Sequence, residues 1–283
     1  MKCQSDFYRA IREVSGFWQQ GSKEGMCGRF VSARKRMELL EEFAVERDRV
    51  AEDREPDYNV APTKRIYTVL DRKDEDGTPR RELRLVRWGL VPSWAKDTAG
   101  GARMINARAE TVAVKPAFRG AFARRRCIIP ADGYYEWQAE GKAKKPFYIY
   151  RTDGGILAFA GIYELWRDES VPDDHERAWY WSASIITTDA TDDIGKIHDR
   201  TPMVIAPASW ADWLDPANNE KELLLATMLP ATSSGAGGLT SHPVSTAVNS
   251  VRNNGPDLVE PLVDEGAPAR GSGSGEGERP PLF

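Results

Sequence analysis

The chain of 283 residues is poor in the side chains that build disulfide frameworks and metal sites. It has only three cysteines, Cys3, Cys27 and Cys127, an odd number without CxxC spacing. That excludes a disulfide scaffold and a zinc site and fits a reducing compartment. No apolar run reaches the 18 residues of a membrane span, and the first 25 residues lack the apolar stretch of a signal peptide. The expected setting is the cytoplasm, with no membrane partner, no metal and no cofactor. An excess of positive charge is missing too: the formal net charge of −4 argues against a generic polyanion binder, which needs clustered Lys and Arg.

What is present is globular. Apolar residues make up 41% and charged residues 29%, enough for a sizeable core. Nine tryptophans mainly suit core packing, but their rings also suit stacking on unpaired bases. Charge is unevenly spread. Ten basic residues face four acidic ones between Arg103 and Lys145, while residues 41–57 are strongly acidic. The basic stretch is either a solvated face or a surface for phosphates.

Apolar spacing predicts a helix over 32–44, with Ser32 as N-cap and Met37, Leu40 and Phe43 on its inner face. Strands are predicted over 65–70 and 83–88, joined by a long polar hairpin, and over 126–130, 146–151, 157–163, 181–187 and 203–206. Shorter helices are expected over 109–114, 116–124 and 207–214. The order predicts an α+β fold: one compact, β-rich domain with peripheral helices. From Gly266 the composition GAPARGSGSGEGERPPLF predicts a disordered tail.

Few residues offer nucleophilic or acid–base chemistry. Of the three histidines, His175 lies in a polar loop, and His242 precedes a proline and reads as structural. His198 sits where a polar loop meets the apolar run Met203–Ile205, a position open to either a structural or a catalytic role. Cys127, in an apparent strand, reads as an inert buried thiol. Cys27 follows Met26, so a chain starting there loses its methionine and presents an α-amine beside a thiol. Such a pair condenses with an aldehyde to an imine and closes to a thiazolidine. An internal cysteine cannot, and the local sequence leaves both readings open. Asn106 supplies donor and acceptor atoms, and Glu136 is a carboxyl among aromatics that would raise its pKa.

Taken together, Met-Cys-Gly-Arg-Phe at 26–30, YNVAP at 58–62, WGLVPSWAKD at 88–97, INARAET at 105–111, FRGAFARRRCIIPADGYYEW at 118–137, FAGIYELW at 159–166, ITTDA at 186–190, IHDRTP at 197–202 and HPVS at 242–245 resemble the SOS response-associated peptidase family. The resemblance implies a single domain over 26–262 with a β-rich, barrel-like core. It implies that the 25 residues before Met26, which depart from the family pattern, are not in the mature chain, and that 263–283 form a tail. It also implies a covalent thiazolidine link between Cys27 and abasic sites in single-stranded DNA, in the DNA-damage response. Asn106 would orient the open sugar, Glu136 would shuttle protons, and His198 would assist ring opening and reversal. Arg29, Trp94, Arg108, Trp137 and Arg200 match positions that hold phosphates or bases, and a monomer is expected. Two other readings stay open: a cysteine peptidase that removes its own N-terminal residues, and a noncatalytic single-strand-binding module.

Overall fold

The computed structural model describes residues 27–175, 178–190, 193–231 and 238–262. The N-terminal extension and the Gly-rich tail fall outside them. The fold is α+β, with fourteen strands in two sheets among the described residues and short helices at the edges. The chain runs β1 (Arg29–Ser32), α1 (Arg36–Glu42), β2 (Arg47–Asp48), β3 (Asp57–Val60), β4 (Arg65–Lys73), β5 (Pro79–Trp88), β6 (Asn106–Arg108), α2 (Ala109–Val112) and α3 (Arg119–Arg124). It continues with β7 (Arg126–Ala131), β8 (Gly133–Glu140), β9 (Ala143–Arg151), β10 (Leu157–Arg167), β11 (Trp179–Asp189), β12 (Arg200–Ile205), α4 (Trp210–Leu214), α5 (Lys221–Thr227), β13 (Met228–Pro230) and β14 (Leu239–Pro243).

The small sheet has the order β14-β9-β8-β1-β3. In the large sheet, β10, β7, β4, β5 and β11 pair in sequence and β11 returns to β10. This ring is only partial, because β4 meets β7 at the single pair Val69↔Ile128. The expected barrel-like core is therefore a partly ring-like sheet and not a barrel.

Strand alternation divides the core. On β11, Ile186 packs with Leu39, Phe43, Phe122 and Trp213 under the helices, while its neighbour Ile185 packs with Phe30, Trp88, Tyr134 and Phe159. The second cluster takes Phe30 and Tyr134 from the small sheet and Trp88 and Phe159 from the large one, so it fills the space between them. A third cluster, with Tyr135, Tyr148 and Val248, covers the other face of the small sheet.

Helix α1 starts later than its apolar spacing suggests. Ser32 pairs with Asp57 in the small sheet, and Lys35 becomes the N-cap, its backbone N–H donating to Glu38 Oε2 at 2.8 Å. The helix consequently buries Leu39 and Phe43 and leaves Met37 69% exposed. Arg126, counted in the basic stretch, is a core strut. Its guanidinium donates to the carbonyls of Trp213 at 2.6 Å, Phe122 at 2.8 Å and Asn218 at 2.8 Å, binding β7 to the helices.

The loop from β5 to β6 is fixed by two glycines in backbone contact. Gly89 has φ +119°, and a Cβ on Gly101 would lie 2.7 Å from the Gly89 carbonyl oxygen and 2.9 Å from Val91 Cγ2. Gly101→Ala is expected to cost about 1–3 kcal/mol in urea unfolding. Gly120→Ala, on α3 with its nearest contact at 3.6 Å, should be neutral or stabilising by up to about 1 kcal/mol.

Candidate functional site

Cys27 precedes β1, with φ 23°, a backbone region few residues with side chains adopt. It is wholly buried in the intersheet cluster. On β8, Tyr134 points into that same space and Tyr135 into the outer cluster, so alternation returns Glu136 to the interior and Trp137 to the outside. β6 pairs with β11 in parallel register, Asn106 beside Ile185, and Ile185 also belongs to the intersheet cluster.

These three residues meet. The Cys27 nitrogen donates to Glu136 Oε1 at 2.8 Å, and Asn106 Nδ2 donates to the Cys27 carbonyl at 3.3 Å. Glu136 is 1% exposed. Burial pushes its carboxyl from an ordinary 4.5 up to about 8; the bond from Cys27 pulls it down and the charge of Asp199 pushes it further up. At neutral pH it is therefore an acid. Burial and the Glu136 charge push the Cys27 thiol well above its ordinary value, so it is a thiol and not a thiolate.

His198 lies between the 3-10 turn Asp193–Lys196 and β12. Gln138 Nε2 donates to the Lys196 carbonyl at 2.9 Å, tying that turn to β8 two residues beyond Glu136. The Arg200 backbone N–H donates to His198 Nδ1 at 3.1 Å, and Asp199 Oδ1 lies 3.2 Å from the same nitrogen. Among the described residues no hydrogen bond joins the His198 ring to Cys27.

The residues expected to meet DNA divide into two groups. Arg108, at the end of β6, is exposed, and so is Trp94, at 68%. Trp137 is half-buried, its indole N–H donating to Asn249 Oδ1 at 2.7 Å and the Arg29 guanidinium lying 5.8 Å from its ring centre. Arg29 itself donates to Asn59 Oδ1 and to the Val248 carbonyl, both at 2.8 Å. Arg200 is buried, with Glu110, Asp189 and Thr187 as acceptors. From the basic stretch, Arg103, Lys115, Arg119 and Arg124 join Arg108 as exposed cations that make no ion pair with a described residue.

Asn59, Glu110, Asp189 and Asn249 also surround the site and were not among the residues expected from sequence. Asn59 and Glu110 lie inside the quoted motifs YNVAP and INARAET, but buried and surface polar residues look alike in sequence. Asn59 Nδ2 donates to three carbonyls of the loop around Ser250, at 3.0 to 3.2 Å, holding the segment that meets Trp137. Among the described residues no cluster of His, Cys, Asp and Glu is arranged to hold a metal ion.

The family model described as SOS response associated peptidase (SRAP) matches residues 26–251. The chain is 38% identical over 236 residues to the abasic site processing protein YoqW of Bacillus subtilis, covering 83% of this chain and 99% of that one. It is 36% identical to the abasic site processing protein YedK of Escherichia coli, over 84% of this chain and all of that one. With the abasic site processing protein HMCES of Gallus gallus it shares 32% identity, over 73% of this chain and 66% of the relative. Among solved structures, a protein from Bacteroides thetaiotaomicron superposes with a TM-score of 0.68 at 25% identity, covering 84% of this chain and all of that one.

A carboxyl raised in the folded state binds a proton that the unfolded chain has released, so its contribution to stability falls as pH rises from 4.5 to about 8. Glu136→Gln removes that loss while keeping an acceptor for the Cys27 nitrogen. The variant should match the native chain in stability near pH 4.5 and exceed it, by on the order of a few kcal/mol, above pH 8 in urea unfolding.

Proposed function

The chain belongs to the SOS response associated peptidase family, and we propose that within it this protein processes abasic sites by trapping the lesion covalently on Cys27. The bond from the Cys27 nitrogen to the buried Glu136 carboxyl carries this reading, because it sets an acid–base group within 2.8 Å of the atom that would attack. The names of the relatives, abasic site processing proteins, support the substrate.

Residues 26–262 act as the domain, and chain starting at Met26 loses that methionine, turning the Cys27 amide into an amine. Its ordinary pKa of about 8 leaves it partly neutral at physiological pH. The amine adds to the C1′ aldehyde of the ring-opened sugar. Glu136 protonates the departing hydroxyl, water leaves, and a protonated imine remains beside the Glu136 carboxylate. The thiol then adds to the carbon of that protonated imine while the carboxylate takes the sulfur proton, which leaves a neutral thiazolidine nitrogen and restores Glu136 as an acid. One water is lost for each thiazolidine formed and nothing is oxidised. A thiol held protonated by burial acts second, so nitrogen leads.

Asn106 holds the Cys27 carbonyl and orients the attacking residue. His198, on the loop tied to β8, assists opening of the sugar and reversal of the link. Arg108, Trp94 and Trp137 are the outward groups for phosphates and bases of single-stranded DNA. The unpaired cations Arg103, Lys115, Arg119 and Arg124 extend that surface. We place the protein in the cytoplasm as a monomer. The peptidase reading is weaker, since a cysteine peptidase lowers its thiol pKa with a paired histidine, whereas here the thiol is raised and bonds no described histidine.

Protein starting at Met26, incubated with single-stranded DNA carrying an abasic site, should give a heat-stable adduct on denaturing gels. Cys27→Ala and the unprocessed chain should give none, and Glu136→Gln should be slower by about 100-fold or more. The native rate should peak at about pH 8, where roughly half of the amine is already neutral and roughly half of Glu136 is still an acid. Equal yield from Cys27→Ala would sink the proposal.

A further inference from the structure

Asn59, on β3, is fully buried, and both polar atoms of its side chain are in use. Oδ1 accepts from Arg29 Nη1 at 2.8 Å, and Nδ2 donates to the carbonyls of Val248 at 3.2 Å, Ser250 at 3.0 Å and Asn253 at 3.0 Å. Its backbone is clamped as well: the N–H donates to Asp57 Oδ1 at 3.0 Å, and the carbonyl accepts from Lys64 Nζ at 3.1 Å. A buried amide needs partners of both kinds. Here the acceptor is served by the strand that follows Cys27 and the donors by loop 247–253, which Asn253 Nδ2 closes on itself by donating to the Ala247 carbonyl at 2.8 Å.

Two side chains expected to meet DNA depend on that loop. The Trp137 indole donates to Asn249 Oδ1 at 2.7 Å. Arg29 donates through Nη1 to the Val248 carbonyl at 2.8 Å and through Nη2 to the Asn249 carbonyl at 3.3 Å, with its guanidinium 5.8 Å from the Trp137 ring centre. Both hydrogens of Nη1 and one of Nη2 thus go to protein oxygens. That leaves Nε–H and the other Nη2 hydrogen without an acceptor among the described residues, a pair able to hold two oxygens of one phosphate. Arg29 stands two residues after Cys27, and Trp137 follows Glu136, so a phosphate on one and a base on the other are held in register with the Cys27–Glu136 contact. We propose that Asn59 is a positioning residue for the single strand: it locks Arg29 and loop 247–253 into one unit, so that the free edge of Arg29 and the ring of Trp137 meet the strand together. The proposal rests on the single-stranded DNA reading given above.

Asn59→Ala and Asn249→Ala, made singly and together in protein starting at Met26, test it. Asn249 is exposed, so its truncation leaves the core intact even where Asn59→Ala is destabilised. The first readout is affinity for a short undamaged single strand, measured by fluorescence anisotropy across a range of salt. Asn59→Ala should weaken it about ten-fold or more and lower the salt slope by about 0.7, the share of one phosphate on a single strand. Asn249→Ala, which frees only a stacking ring, should weaken it about five-fold with the slope unchanged. The double variant should lose no more than Asn59→Ala, because that change already frees Trp137. In adduct formation, Asn59→Ala should raise the DNA concentration at half-maximal rate about ten-fold, with the rate at saturation within about three-fold of native. Native affinity and slope in Asn59→Ala overturn the proposal, as does native affinity in Asn249→Ala. So do losses that add in full in the double variant, or a saturating rate that falls while half-saturation stays put, which would mean that Asn59 serves Cys27. If the variants follow the expected pattern on the undamaged strand but native protein forms no adduct, the covalent reading falls alone.

Discussion

A carboxyl group buried between two sheets favours its neutral form, and Glu136 meets that condition against a single nitrogen, that of Cys27. Most of the architecture serves this contact. Alternation on β8 turns Glu136 inward after Tyr135 has turned out, the partly closed ring supplies the apolar wall of Trp88, Phe159 and Ile185, and β6 brings Asn106 to the other side of Cys27. The same burial that makes Glu136 an acid near neutral pH makes the Cys27 sulfur a poor nucleophile until a proton acceptor appears. In the proposed covalent chemistry, one environment would thus order the two steps, nitrogen before sulfur.

The outer shell shows a second economy of placement. Several arginines near the site bond protein carbonyls or carboxylates: Arg126 those of the helices, Arg29 those of the loop around Val248, Arg200 those of Glu110 and Asp189. Among the described residues, Arg103, Arg108, Lys115, Arg119 and Arg124 are instead exposed and make no ion pair. A chain with net negative charge can offer a basic surface in this way, because charges that pair within the protein cancel and these do not.

Much of this was legible in the sequence. β-rich runs from Arg65 to Ile205 were read near their true bounds because period-two alternation and Gly-Pro punctuation are local signals. α1 was misplaced since its inner face depends on where β1 ends, which is fixed by the distant partner Asp57. β1, β6 and β8 were read as chemical motifs and not as strands, their polar residues hiding the alternation that buries Glu136 beside Tyr134. Cys27, Asn106 and Glu136, from three separate motifs, lie in hydrogen-bond contact. Glu110 and Asn59 were not singled out, because their roles lie in contacts 90 residues away to Arg200 and about 190 residues away to Ser250.

The central claim is that Glu136 is a neutral acid hydrogen-bonded to the Cys27 nitrogen. Carbon NMR of the labelled Glu136 carboxyl, assigned by Glu136→Gln and followed across pH in the folded chain, measures it most directly. The account predicts a titration midpoint at about 8; a midpoint near the ordinary 4.5 would contradict it.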